Sequence, residues 1–214
     1  MPVKRVDRLN VPEPTGFSAL VLAGGAGRRF GGAKLTTPFR GGVLLDGALR
    51  AAFAAPVDEI IVVTGSDPKV APAAEAFSRA RGQGARLRTM RAPGWSDGLS
   101  ASLRAGLAVV SPHSRGAFIF LGDMPNIPSG LAQRLAHALD PGVVAVAPVL
   151  EDEPGHPALL GVELFPAAMR LTGDRGARAL MESQGERFVR LAVQDRGVLF
   201  DVDTREALHA IGTG

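Results

Sequence analysis

Phe17-Ser18-Ala19-Leu20-Val21-Leu22-Ala23-Gly24-Gly25-Ala26-Gly27-Arg28-Arg29-Phe30-Gly31-Gly32-Ala33-Lys34 runs from an apolar strand straight into a loop with five glycines between positions 24 and 32. Such a loop lets backbone N–H groups approach an anion closely, and Arg28, Arg29 and Lys34 add three cations to it. A polyphosphate suits it. No Gly-Lys-Ser/Thr follows, so it is not a Walker loop, and Phe30 stands where a dinucleotide fingerprint needs its third glycine.

Around this loop, short aliphatic runs alternate with longer alanine-rich segments of helical period. Strands are expected at Phe17–Leu22, Glu59–Thr64, Ala85–Arg91, Ala117–Leu121 and Val143–Val149, and helices at Leu44–Ala55, Val70–Arg81, Leu99–Val110 and Leu131–Leu139. After Glu151 the order loosens, with further helices near Leu164–Leu171 and Ala177–Gln184. The pattern predicts an α/β fold: a doubly wound, mostly parallel sheet of Rossmann-like type, with ligands beyond the carboxyl ends of the strands.

Composition narrows the chemistry. With 214 residues, 46% hydrophobic and 21% charged, the chain has the material for one packed domain. Residues 1–16 read as a loose leader and 17–214 as a single domain. The absence of cysteine excludes disulfides, thiolate metal sites and a cysteine nucleophile. A net charge of +3 without a cationic run argues against nucleic acid as partner. The longest apolar run, Val143–Leu150, is far short of the roughly 20 residues of a membrane helix, so no membrane partner and a cytoplasmic location are expected.

Two acidic sites stand at strand ends. Phe118-Ile119-Phe120-Leu121-Gly122-Asp123-Met124-Pro125 places one carboxylate at the sheet edge, where it either holds Mg²⁺ with substrate phosphates or caps a turn. In Phe200-Asp201-Val202-Asp203-Thr204, Asp203 either caps the terminal helix, or is left free for metal if Thr204 caps it. Gly98-Leu99-Ser100-Ala101-Ser102-Leu103 opens a helix, and its serines either cap or offer hydroxyls.

These stretches, together with Trp95-Ser96-Asp97-Gly98, Gly155-His156-Pro157 and Leu171-Thr172-Gly173-Asp174-Arg175-Gly176-Ala177-Arg178, resemble the motifs of the MobA-like NTP transferase family, and in detail its molybdenum cofactor cytidylyltransferase branch. The resemblance covers residues 17 to about 210. It implies transfer of a nucleotidyl group from a nucleoside triphosphate, CTP favoured, to the phosphate of molybdenum-molybdopterin, with pyrophosphate released and Mg²⁺ as cofactor. A molybdoenzyme that receives the product is a further implied partner.

Residue by residue, the resemblance implies that Gly24, Gly25 and Gly27 cradle the phosphates, with Leu22, Ala23, Gly98, Ser100 and Ser102 completing the nucleotide site. Arg28 and Lys34 stabilise the leaving pyrophosphate, and Asp123 and Asp203 hold Mg²⁺, Asp201 being the weaker candidate. His156, Asp174 and Arg178 would bind the acceptor; Arg175 is as well explained by solvation.

The chain departs from the branch at Gly24, where alanine is usual and glycine marks the guanylyltransferases, so a GTP-using enzyme is one alternative. Thr36-Thr37, Gly41-Gly42-Val43 and Arg205 depart too, and position 42 lacks a basic residue. An NAD(P)H-dependent oxidoreductase of the nicotine-blue type is the other alternative, weakened because Val62-Val63-Thr64-Gly65 brings no acidic residue to the second strand's end.

Overall fold

A computed structural model describes residues 16–174 and 176–212, apart from the side chain of Arg28. The leader expected over 1–16 therefore lies outside the described residues except for Gly16, which already belongs to the first strand; Arg175 lies outside them as well.

In chain order the elements are β1 Gly16–Ala23, β2 Pro38–Phe39, β3 Gly42–Val43, α1 Asp46–Ala54, β4 Glu59–Thr64, α2 Val70–Ala80, β5 Leu87–Arg91, α3 Leu99–Leu107, β6 Ser114–Leu121 and α4 Leu131–Ala138. There follow β7 Ala145–Leu150, β8 Glu153–Pro154, β9 Ala158–Gly161, α5 Phe165–Ala168, α6 Arg178–Glu182, β10 Phe188–Ala192 and α7 Arg205–Gly212. The main sheet runs β10-β7-β9-β6-β1-β4-β5, with β8 on β7, while β2 and β3 form a small hairpin. No helix among the described residues is long and apolar enough to cross a membrane.

The expected strands and helices are present, with ends trimmed by local geometry. A 3₁₀ turn at Gly84–Arg86 delays β5, and another at Val162–Leu164 shortens α5 to four residues. Beyond the expected elements the chain also forms the short β2, β3 and β8, and β9 and β10 of the main sheet. β9 pairs antiparallel with both β6 and β7, so the sheet is mixed on that side, whereas β1, β4, β5 and β6 are parallel as expected.

Alternation across the pleat explains why the strands are apolar throughout. Val21, Ile60, Val62, Phe118 and Phe120 face one core with α1, α2 and α4; Leu20, Ile61, Val63 and Ile119 face a second core with Leu103 and Leu107 of α3. Each fully buried aliphatic or aromatic side chain contributes roughly 1.5–3 kcal/mol. The chain order reverses at β1, because β4 and β5 lie on one side of it and β6 on the other. That reversal leaves a crevice at the carboxyl ends of β1 and β6.

At the opposite edge Glu59 ties three elements. Its carboxylate accepts from the Ser18 hydroxyl (2.7 Å), the Ser111 N–H (2.7 Å) and Arg88 (2.9 Å). Burial pushes its pKa up, but these donors outweigh burial and hold it below the usual carboxylate value. Stability from Glu59 is thus present above its unfolded pKa and is lost as pH falls through the lower folded one. Glu59→Ala orphans the Ser111 N–H and should cost about 1–3 kcal/mol, a Tm fall of roughly 2–4 °C per kcal/mol in thermal melts at neutral pH. An unchanged Tm would contradict this role.

Candidate active site

The glycine loop leaves β1 beside the turn that ends β6, since Leu22 pairs with Leu121 and the Gly122 N–H donates to the Leu22 carbonyl at 3.0 Å. Within the loop the chain tightens into 3₁₀ turns at Arg28–Phe30 and Lys34–Thr36. The second turn presents Lys34, whose Nζ donates to Asp123 Oδ2 at 2.7 Å and to Asp203 Oδ1 at 3.3 Å. The Lys34 side chain is 12% exposed and Asp123 23%, so this pair is only partly hydrated. Arg29, on the surface, donates to the other oxygen of Asp203 at 2.7 Å.

The Val202 N–H donates to the Asp123 carbonyl at 3.1 Å and its side chain is fully buried, which locks Asp201 and Asp203 on either side of it. Thr204 Oγ1 accepts from the Ala207 N–H at 3.2 Å. Thr204 therefore caps α7, which resolves the alternative in the sequence: Asp203 has no capping duty. One oxygen each from Asp123, Asp201 and Asp203 lie within 4.8 Å of one another, a hard-oxygen set suited to Mg²⁺ or Mn²⁺. Burial, and then the charges of Asp123 and Asp203, push the pKa of Asp201 up, with Lys34 opposing.

These groups border a cleft of about 870 Å³, which the loop glycines share with Trp95, Gly98, Leu99, Ser102 and Asp174. Gly98 has φ of 102°, and a Cβ there would lie 2.5 Å from Asp174 Oδ1, so only glycine lets α3 begin against that segment. At Gly24 a Cβ would lie 2.5 Å from Ser102 Oγ, so that glycine and that hydroxyl form one continuous wall.

Most of the sequence candidates converge here: Leu22, Gly24, Gly25, Gly27, Lys34, Gly98, Ser102, Asp123, Asp174 and Asp203 all line the cleft. Ala23 is buried behind the loop and borders a smaller recess. Ser100 does not line the cleft. Its N–H donates to Gly173 and its hydroxyl accepts from Arg104, because residues two apart on a helix cannot share a face. Arg178 does not reach the cleft either; it pairs with Glu182 one turn along α6 and joins His156 in a side pocket of about 230 Å³.

The side chain of Arg28 lies outside the described residues. Asp201, expected only as the weaker metal candidate, joins the cluster on equal terms, and Arg29 and Trp95 line the cleft as well. The spacing of Asp201 and Asp203 across one buried residue was a readable signal, whereas nothing in Arg28-Arg29 separates the two arginines.

The chain matches the MobA-like NTP transferase domain over residues 19–188. It belongs to that family. The molybdenum cofactor cytidylyltransferase of Escherichia coli (strain K12) is 25% identical over 189 residues, covering 88% of this chain and 91% of that protein. The crystal structure of Rv0371c from Mycobacterium tuberculosis H37Rv superposes with a TM-score of 0.74 at 28% identity, over 95% of this chain and 100% of that one. Another structure of Rv0371c, a complex with manganese, gives 0.69 at 25% identity over 94% and 100%. As a family member the chain is a nucleotidyltransferase with the Rossmann-like fold of its structural neighbours.

Because burial, and then the neighbouring carboxylates, disfavour the Asp201 charge, it costs folded stability at neutral pH, a cost relieved as pH falls through its raised pKa. Asp201→Asn should leave the metal-free Tm equal to or above that of the wild type, while weakening Mn²⁺ binding by calorimetry about tenfold. A marked fall in Tm, or unaltered Mn²⁺ affinity, would count against the three-carboxylate site.

Proposed function

We propose that this chain transfers a cytidylyl group from CTP to the terminal phosphate of a molybdenum-molybdopterin acceptor, with Mg²⁺ as cofactor. One observation carries the reading: three carboxylates and Lys34 meet beside the glycine loop in a single cleft. The cytidylyltransferase likeness and the manganese bound by Rv0371c support the choice of acceptor and of a divalent cation.

In this reading an acceptor phosphate oxygen attacks the α-phosphorus, the bond to the bridging oxygen breaks, and pyrophosphate leaves. Little covalent help is needed, so positioning and charge stabilisation supply the acceleration. Gly24, Gly25 and Gly27 offer backbone to the phosphates, with Leu22 and Ala23 fixing where the loop begins. Lys34 and Arg28 meet charge on the leaving pyrophosphate, joined by Arg29. Asp123 and Asp203, with Asp201, would hold the divalent cation, which neutralises phosphate oxygens in the transition state. Gly98 and Ser102 line the nucleoside side, and Asp174, His156 and Arg178 serve the acceptor.

Asp123 is partly buried at a strand end and holds little of the core. Asp123→Asn should keep a near-normal Tm and lose on the order of 10²-fold in turnover. Normal turnover would remove it from the site, and a collapsed Tm would make it a structural residue.

Base choice rests on the wall formed by Gly24 and Ser102. A methyl at Gly24 must displace the Ser102 hydroxyl, a change worth about 10- to 200-fold at most, and the later motifs keep CTP preferred. In turnover with CTP and GTP competing for a molybdopterin acceptor, CTP should win in wild type and in Gly24→Ala. A GTP preference above roughly tenfold in the wild type would contradict this.

A further inference from the structure

The side pocket opens off the cleft, sharing Leu22, Leu99 and Leu121 with it. Its other walls are mostly aliphatic, with Leu103, Ile119, Ala158 and Met181, and two polar side chains border it: the His156 ring and Arg178, whose guanidinium pairs with Glu182. At about 230 Å³ it falls below the ~300–1,000 Å³ that encloses a drug-sized ligand, so it holds a ring system rather than a whole substrate.

His156 is pinned from two directions. Its backbone N–H donates to the Val198 carbonyl at 2.8 Å, and ring Nδ1 faces the Ile119 carbonyl at 3.2 Å. A carbonyl only accepts, so Nδ1 carries the proton and Nε2 of the neutral ring is left as an acceptor. Burial pushes the ring's pKa down, only partly offset by the Ile119 bond and the charge of Asp123, which favours that neutral form. Among the described residues Nε2 has no hydrogen-bond partner, and no sealed, unsatisfied side-chain atom occurs among them, so Nε2 opens onto the pocket.

We infer that this pocket takes the flat, N–H-bearing heterocycle of the acceptor, edge-on to His156 Nε2 and between aliphatic walls. The inference rests on the proposed transfer to a phosphorylated acceptor, and it adds how the acceptor's far end is recognised. A mostly apolar slot, with His156 Nε2 as its fixed side-chain acceptor and the Arg178 guanidinium already paired with Glu182, selects planarity by shape. It selects a ring N–H because a ring without one leaves Nε2 desolvated and unpaired. His156 is here a positioning residue, remote from the phosphates.

Lumazine and 1,3-dimethyllumazine test this, since both are flat bicycles and only the first carries ring N–H groups. Titrated by ligand fluorescence into the full chain, lumazine should bind about tenfold or more tightly than its dimethyl analogue. The preference should disappear in His156→Phe, which keeps a ring but no acceptor, and persist in His156→Gln, which keeps an acceptor. The comparison is internal to each protein, so a general loss of stability does not imitate it. Equal binding of the two ligands by wild type, no binding of either, or a preference that survives in His156→Phe overturns the inference. Bound lumazine should also remain in place when CTP and Mg²⁺ are added. Its displacement would assign the pocket to the nucleobase and overturn the inference while leaving the proposed transfer intact; absence of CTP binding would instead strike at the transfer itself.

Discussion

The Lys34 ammonium, held between Asp123 and Asp203, is the contact on which the site depends. It joins three segments that are remote in sequence: the glycine loop, the turn after β6 and the entry to α7. Three carboxylates gathered within 4.8 Å repel one another, and Lys34 and Arg29 supply the opposing charge that lets them coexist. The surface Arg29 pair is solvated and adds little stability by itself. The half-sheltered Lys34 pair is the one that fixes geometry.

The sheet exists to make that meeting possible. Running β1 between β4 and β6 brings the glycine loop and Asp123 to one edge, and two apolar cores hold the strands rigid beneath them. The loop is anchored by Phe30, buried in the core, and by backbone contacts such as the Gly32 N–H to the Gly27 carbonyl. On the far side, α3 starts at Gly98 directly against Asp174, which couples the nucleotide wall to the segment that leads to the side pocket. The cleft and the side pocket thus both border the start of α3, sharing Leu99.

Much of this is written locally in the chain. Continuous aliphatic runs such as Leu20–Leu22 and Ile60–Val63 announce buried parallel strands, and the glycine loop announces an anion. β9 is not written that way: Ala158–Gly161 has four residues, follows two prolines, and is defined by pairing with β6 and β7, which no local periodicity encodes. β10 carries Arg190 in its middle and reads as a surface segment. In the site, Asp123 and Lys34 were legible because each ends or follows a clear motif. Ser100 falls outside the cleft because helix periodicity turns it away from Ser102, and Arg178 borders the side pocket instead, with Glu182 one turn along to pair with it.

In the proposed function the cleft binds a nucleoside triphosphate through its acidic cluster and a divalent ion together. Calorimetric titration of CTP into the full chain, with Mg²⁺ and then with a chelator, tests it most directly. A triphosphate carries more negative charge than the loop's cations neutralise, and it lies beside three carboxylates, so binding should tighten about tenfold or more with Mg²⁺. Equal affinity under the two conditions would contradict the claim.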